Sequence, residues 1–213
     1  MKKRLVLLML CCSAFPAWAT EAKLERIQLE TSVHAIERGA VTLMNACLGC
    51  HALKYIKYRD LAAFGMDKVK IDEWRGDKPM EASLASLLPD EFAMQTFGLV
   101  PTDLSLITNA RSGGANYVYS YLTGYYLTAD GISDNHVFPG TNMPDVLGIA
   151  SATDSAQRAA LEEKSRDVVS FLAWAADPHE QERHKLGYYV IGYLIILTLL
   201  LYFLKNQIWA RLK

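Results

Sequence analysis

The pentapeptide Cys47-Leu48-Gly49-Cys50-His51 restricts the fold of this chain more than any other feature. On one helical turn, residues at i, i+3 and i+4 share a face. Two thiols and an imidazole on that face suit a flat macrocycle fixed along one edge. The thiols add to vinyl groups, and the ring nitrogen meets iron. This C-x-x-C-H pattern is the attachment signature of a c-type haem. A zinc site needs a second pair of ligands, but His34, His136, His179 and His184 are scattered, and Cys11 and Cys12 are adjacent. A thioredoxin-like motif follows a strand within a βαβ pattern, and no such pattern surrounds these residues. The expectation is one covalently bound haem c, tethered by Cys47 and Cys50, with His51 as an iron ligand.

Both ends of the chain are apolar. Lys2, Lys3 and Arg4 precede the apolar stretch Leu5 to Ala14, Pro16 breaks it, and Ala17-Trp18-Ala19 is a cleavage pattern. Residues 1–19 therefore read as a signal peptide. Its removal takes Cys11 and Cys12 with it and leaves only the two motif cysteines. Leu186 to Leu204 holds nineteen residues without a charge. As a helix this stretch is about 28 Å long, matching a hydrocarbon core of roughly 30 Å. Tyr188, Tyr189 and Trp209 flank it as interfacial aromatics do. Residues 186–204 thus read as a transmembrane helix and 205–213 as a cytoplasmic tail with Lys205, Arg211 and Lys213. The expected location is a bacterial inner membrane, single-pass, with an exported periplasmic head.

The head, residues 20–185, fits one domain. The whole chain has 22 Lys+Arg and 23 Asp+Glu. Setting aside the three basic residues of the leader and the three after the span leaves the head near −7. Nucleic acid is thereby disfavoured as a partner, and the acidity fits either a basic soluble partner or solubility alone. The periodicity predicts a mainly α fold. A helix through Val33, Ile36, Ala40, Leu43 and Met44 runs into the motif, and a second spans Tyr55 to Phe64. Asp67 to Phe97 is polar and broken by Pro79 and Pro89, with one short helix near Glu81 to Leu88. Helices are expected over Leu104 to Ala110 and Tyr117 to Leu122, separated by Ser112-Gly113-Gly114. Leu127 to Gly148 is expected to be loop. Asp154 should cap a helix to about Ala176, interrupted by Asp177-Pro178. No alternating run argues for a sheet.

Iron held by His51 needs a sixth partner or an open face. Met143 is the leading candidate. Pro139-Gly140 favours a turn before it, and Pro144 pushes it toward extended backbone. His136 is the alternative. Met44, Met66, Met80 and Met94 lie where methionine usually serves packing. A neutral sulfur favours ferrous iron and raises the reduction potential.

From about Glu37 onward, the order of several segments resembles the cytochrome c1 family. These are Glu37-Arg38-Gly39, Tyr58-Arg59, Val100-Pro101-Thr102-Asp103-Leu104-Ser105 and Ala110-Arg111-Ser112-Gly113-Gly114-Ala115-Asn116-Tyr117-Val118. Leu122-Thr123-Gly124-Tyr125, Phe138-Pro139-Gly140 and Asp167-Val168-Val169-Ser170-Phe171-Leu172-Ala173-Trp174 follow, with a C-terminal anchor. The resemblance implies that Met143 is the axial methionine and that Arg111 and Tyr117 contact haem propionates. It also implies that Pro101 stands beside the haem, where its carbonyl orients His51. Thr102 departs from the family's second proline, and the stretch between the haem motif and Pro101 is short.

The resemblance further implies a single c-type cytochrome head serving as the electron-transfer subunit of a respiratory cytochrome bc1 complex. Its partners would be cytochrome b, a Rieske iron–sulfur protein that donates one electron, a periplasmic c-type cytochrome that accepts it, and the lipid bilayer. No residue of this chain need act as acid, base or nucleophile. The alternatives are a membrane-anchored carrier serving a terminal oxidase and a haem peroxidase or gas sensor with an open sixth site.

Overall fold

The computed structural model describes residues 23–211. The expected signal peptide, residues 1–19, and Lys213 lie outside them. The first helix, α1, spans Val33–Thr42 and is capped by Ser32, whose hydroxyl accepts from the Ala35 amide at 3.3 Å. Ala35, Ile36, Gly39 and Ala40 recur at helical spacing and form its buried stripe. The helix passes into a π-turn, Leu43–Cys47. Then come β1 (Leu53–Lys57), α2 (Tyr58–Phe64), α3 (Lys68–Arg75), β2 (Ser83–Leu84) and α4 (Asp90–Phe97). Next are α5 (Ile107–Ala110), α6 (Gly114–Thr123), β3 (Tyr125–Leu127) and β4 (Ser133–Asn135). A 3-10 turn (Ile149–Ser151) leads to α7 (Ser155–Ala176) and α8 (Glu180–Ala210).

The mainly helical expectation holds, with local corrections. Tyr55 to Lys57 belong to β1, not to the helix that follows. Leu53 pairs with Leu84 across the sheet, and both are fully buried. The helix expected near Glu81 to Leu88 is absent. That stretch holds β2, and short helices stand on either side of it. The segment expected to be loop, Leu127 to Gly148, contains β4, which pairs antiparallel with β3 at its start. Each sheet has only two strands, so each is held by packing on the helices.

The core forms where α1 crosses α7. Ile36, Ala40 and Leu43 meet Val168, Val169, Phe171 and Leu172, and all are buried. Gly39 lets the two backbones approach at the Asp167 carbonyl. Arg38, itself half-exposed, grips the buried Asp167 carboxylate with two hydrogen bonds of 2.7 and 2.9 Å.

Asp154 caps α7 as expected. Its carboxylate accepts from the Gln157 amide at 2.8 Å, while the Gln157 side chain accepts from the Thr153 amide at 2.8 Å. Removing this acceptor exposes an orphan helix donor. Asp154→Ala is expected to lower stability by about 1 kcal/mol and Asp154→Asn by only a few tenths. Urea unfolding of the two variants side by side checks this, and equal losses would rule out capping as the cause.

The apolar helix α8 resumes after the Asp177-Pro178 break and runs continuously over 31 residues. None of its residues is buried within the chain. Its length and composition are those of a membrane-spanning helix. An all-round apolar surface that no described residue covers suits a lipid surrounding.

Candidate haem site

The π-turn shapes the motif. Leu48 donates its amide to Leu43 O at 3.0 Å, one residue wider than an α-helical bond. The Cys47 carbonyl then accepts from both Cys50 and His51, at 3.0 and 2.8 Å. The turn thus continues through His51, and the three motif residues stay together. Cys47 is buried, Cys50 and His51 are partly exposed, and neither thiol is in a disulfide. Burial, helped by the neighbouring Cys50, pushes the Cys47 thiol up to about 11. The thiol is thereby kept neutral among its apolar neighbours.

A second segment is fastened against the motif. Leu104 donates to Ala52 O at 2.8 Å. The Asp103 carboxylate accepts from the amides of Lys54 and Ser105, and the Ser105 hydroxyl accepts from the Tyr55 amide at 3.1 Å. Ser105 is fully buried. These bonds place the Thr102 carbonyl 2.7 Å from His51 Nδ1. A carbonyl only accepts, so Nδ1 carries the proton and Nε2 is left with its lone pair. Metal-bound histidines are commonly oriented in this way. The carbonyl belongs to Thr102, so the expectation for Pro101 is corrected by one residue. Pro101 sits beside this contact in the chain and does not make it. Asp103 and Ser105, quoted above without a role, are the residues that fix the segment. An Asp followed two residues later by a Ser in a non-helical stretch is the signal that points to such a side-chain-to-backbone staple.

Arg111 follows α5 and is exposed, with its guanidinium carbon 5.9 Å from the centre of the Tyr117 ring. Tyr117 stacks on Tyr121 at 6.2 Å between ring centres. Arg111 and Thr102 line one surface cavity of about 510 Å³ with Lys54, Tyr55, Asp103 and Leu106. Arg111 is thus brought to the flank that carries the His51 contact.

Met143 is half-buried and packs against the apolar cluster that contains Cys47 and Leu48. The turn before it is tied down. Gly140 has φ 74°, a conformation that favours glycine, and donates its amide to Asp134 at 2.8 Å. Backbone bonds from Gly140 and Asn135 hold the Asp134 carboxyl below its ordinary range. His136 is exposed and stacks flat on Tyr126, with ring centres 4.1 Å apart.

The donor set fits a c-type haem. It offers two free thiols one turn apart, an imidazole with its second nitrogen already engaged, and a half-buried thioether on a fixed turn. Among the described residues no three His, Cys, Asp or Glu side chains gather as a bare metal ion would require.

Comparison with known proteins agrees. The Cytochrome C1 family model matches residues 18–212. Cytochrome c1 of Allochromatium vinosum is 32% identical over 205 residues, covering 82% of this chain and 83% of that protein. Cytochrome c1 of Rhodospirillum rubrum is 29% identical, covering 84% and 82%. The cytochrome b/c1 protein of Bradyrhizobium diazoefficiens is 30% identical, and the match spans 83% of this chain but 33% of that longer protein. With the haem motif, its carbonyl-oriented histidine and a family match along nearly its whole length, the chain belongs to the cytochrome c1 family.

Proposed function

We propose that this chain is the haem-bearing electron-transfer subunit of a cytochrome bc1 complex. It takes one electron from a Rieske iron–sulfur protein and hands it to a periplasmic c-type cytochrome. The observation that carries this reading is the His51 Nδ1 contact with Thr102 O inside the C-x-x-C-H motif. It fixes the tautomer and ring plane that an axial ligand requires. Haem c, when bound, supplies reversible one-electron iron chemistry.

The chain's own residues hold and tune that group. Cys47 and Cys50 would tether it, and His51 and Met143 would supply its two iron ligands from the protein. Two filled axial positions suit electron transfer and oppose peroxide or gas chemistry. Arg111 is a donor for a propionate, with Tyr117 beneath its guanidinium. Pro101 holds the Thr102 peptide at the edge of the site. The helix α8 anchors the chain with its head in the periplasm and residues 205–213 in the cytoplasm. Residues 1–19 act as the export signal. Gly187 and Gly192 have nothing within reach of an added Cβ in this chain, which leaves space for a close approach by cytochrome b helices. The relative that unites cytochromes b and c1 in one protein supports that partnership.

Isolation of the native chain from membranes in mild detergent tests the assignment. The expected result is haem that stays on this polypeptide after denaturation, with cytochrome b and a Rieske protein co-purifying. Added quinol should then reduce the haem only while the Rieske protein is present. A haem-stained chain that purifies alone and is reduced without those partners would support the free-carrier alternative.

A further inference from the structure

Met143 is enclosed by a ring of hydrogen bonds. Tyr125, the first residue of β3, places its hydroxyl 2.9 Å from the Met143 carbonyl. The Tyr125 and Tyr121 oxygens are 3.3 Å apart, and Tyr121 Oη is 2.6 Å from Thr141 Oγ1. The Met143 amide donates to Thr141 Oγ1 at 3.3 Å. The proton directions follow from valence. A carbonyl only accepts, so the single Tyr125 proton goes to Met143 O. The Tyr121 hydroxyl must then donate to the Tyr125 oxygen, and Thr141 must donate to Tyr121. Four bonds therefore leave the Met143 residue by its C=O and return to it by its N–H. Hydrogen bonds in such a chain polarise and strengthen one another.

The ring stands on rigid supports. Tyr125 is only 3% exposed. Its ring meets Tyr121 edge-on, with centres 5.7 Å apart. Asn135 is fully buried and donates to Tyr121 O at 2.7 Å, while its side-chain oxygen accepts from the Val137 and Phe138 amides. The end of α6 and the start of the Met143 segment are thereby tied together.

We propose that Tyr125 is a positioning residue for the sixth iron ligand: by closing this ring it holds the Met143 backbone where the thioether stays on iron. The inference rests on the reading of Met143 as that ligand. A soft, neutral sulfur competes poorly with added nitrogen ligands, so a loosened segment yields more readily to them.

The test uses the haem-bearing chain in detergent and imidazole as the competing ligand. Tyr125→Phe should keep the sulfur–iron absorption band yet bind imidazole to ferric haem about five- to tenfold more tightly, the range of one neutral hydrogen bond. Tyr121→Phe, which opens the ring elsewhere, should shift affinity the same way by less. The double variant should resemble Tyr125→Phe, because one ring opens only once. Urea unfolding is measured alongside. A lowered unfolding midpoint with wild-type imidazole affinity would show a merely structural tyrosine and overturn the proposal. Met143→Leu separates the two readings. If it loses the band while Tyr125→Phe leaves imidazole affinity unchanged, the ligand stands and the latch falls. If it keeps the band, both fall.

Discussion

Met143→Leu is expected to remove the sulfur–iron band from the ferric spectrum and to lower the reduction potential by on the order of 100–200 mV, within the roughly 0.8 V that axial ligands span. Leucine nearly preserves volume at this half-buried position, so the fold should lose less than about 1.5 kcal/mol. Spectrum and potential should therefore change while unfolding scarcely moves. The potential falls because a thioether stabilises ferrous iron more than water or an added nitrogen ligand does. His136→Ala is the matched control. That imidazole already stacks on Tyr126, and its loss should leave the spectrum alone. A spectrum unchanged by Met143→Leu but altered by His136→Ala would move the sixth ligand to the histidine.

The parts of the site that were legible in the sequence are those whose chemistry sits in side chains at fixed local spacing. Cys47, Cys50 and His51 belong to one turn, and no distant contact was needed to bring them together. The His51 partner was harder. A backbone carbonyl has no sequence signature, so the resemblance pointed to Pro101 and the structure gives Thr102, one residue on. What selects Thr102 is the staple by Asp103 and Ser105 onto residues 52–55, a contact across about fifty positions. The ring around Met143 was equally hidden. Tyr117 and Tyr121 are four residues apart on α6, which marks a shared face, but Tyr125 follows that helix in β3 and the closing bonds depend on how the Thr141 turn folds back on them.

The fold divides in the same way. α1, α7 and α8 carry long apolar periodicity or an unbroken apolar run, and their presence and order followed from it, although α8 runs six residues beyond the apolar stretch at each end. The sheets did not. β2 is two residues long, too short for any period to register, and its partner lies about thirty residues earlier. Once that partner exists, Leu53 and Ile56 are buried in β1 and the chain turns helical only at Tyr58. Tertiary pairing overrides local preference here. The Met143 segment also read as loop because of its Gly, Pro, Asn and Asp content. Loop it is apart from β4, but its Asp and Asn side chains bond to the backbone and tie its turns down.

Gly39→Ala is expected to destabilise the head by about 3 kcal/mol or more, the scale of severe overpacking between backbones. A Cβ there would overlap the Asp167 carbonyl oxygen and stand 2.6 Å from its carbon and 2.9 Å from Phe171 Cβ. Two of these atoms are backbone, so no rotamer change relieves the clash. Helix propensity points the other way, since alanine favours a helix over glycine by about 1 kcal/mol. A large loss must therefore come from forcing α1 off α7. The Arg38–Asp167 bonds lie beside the same contact and would stretch with it. Because α1 leads directly into Cys47, displacement should also slow covalent haem attachment in the cell. Gly49→Ala is the control. It lies between the motif cysteines, has nothing within 4 Å of an added Cβ, and should change stability by no more than about 0.5 kcal/mol. Urea unfolding of the two variants, with haem content per chain, decides the matter: equal stability for Gly39→Ala and wild type would mean that the α1–α7 crossing is looser than this packing requires.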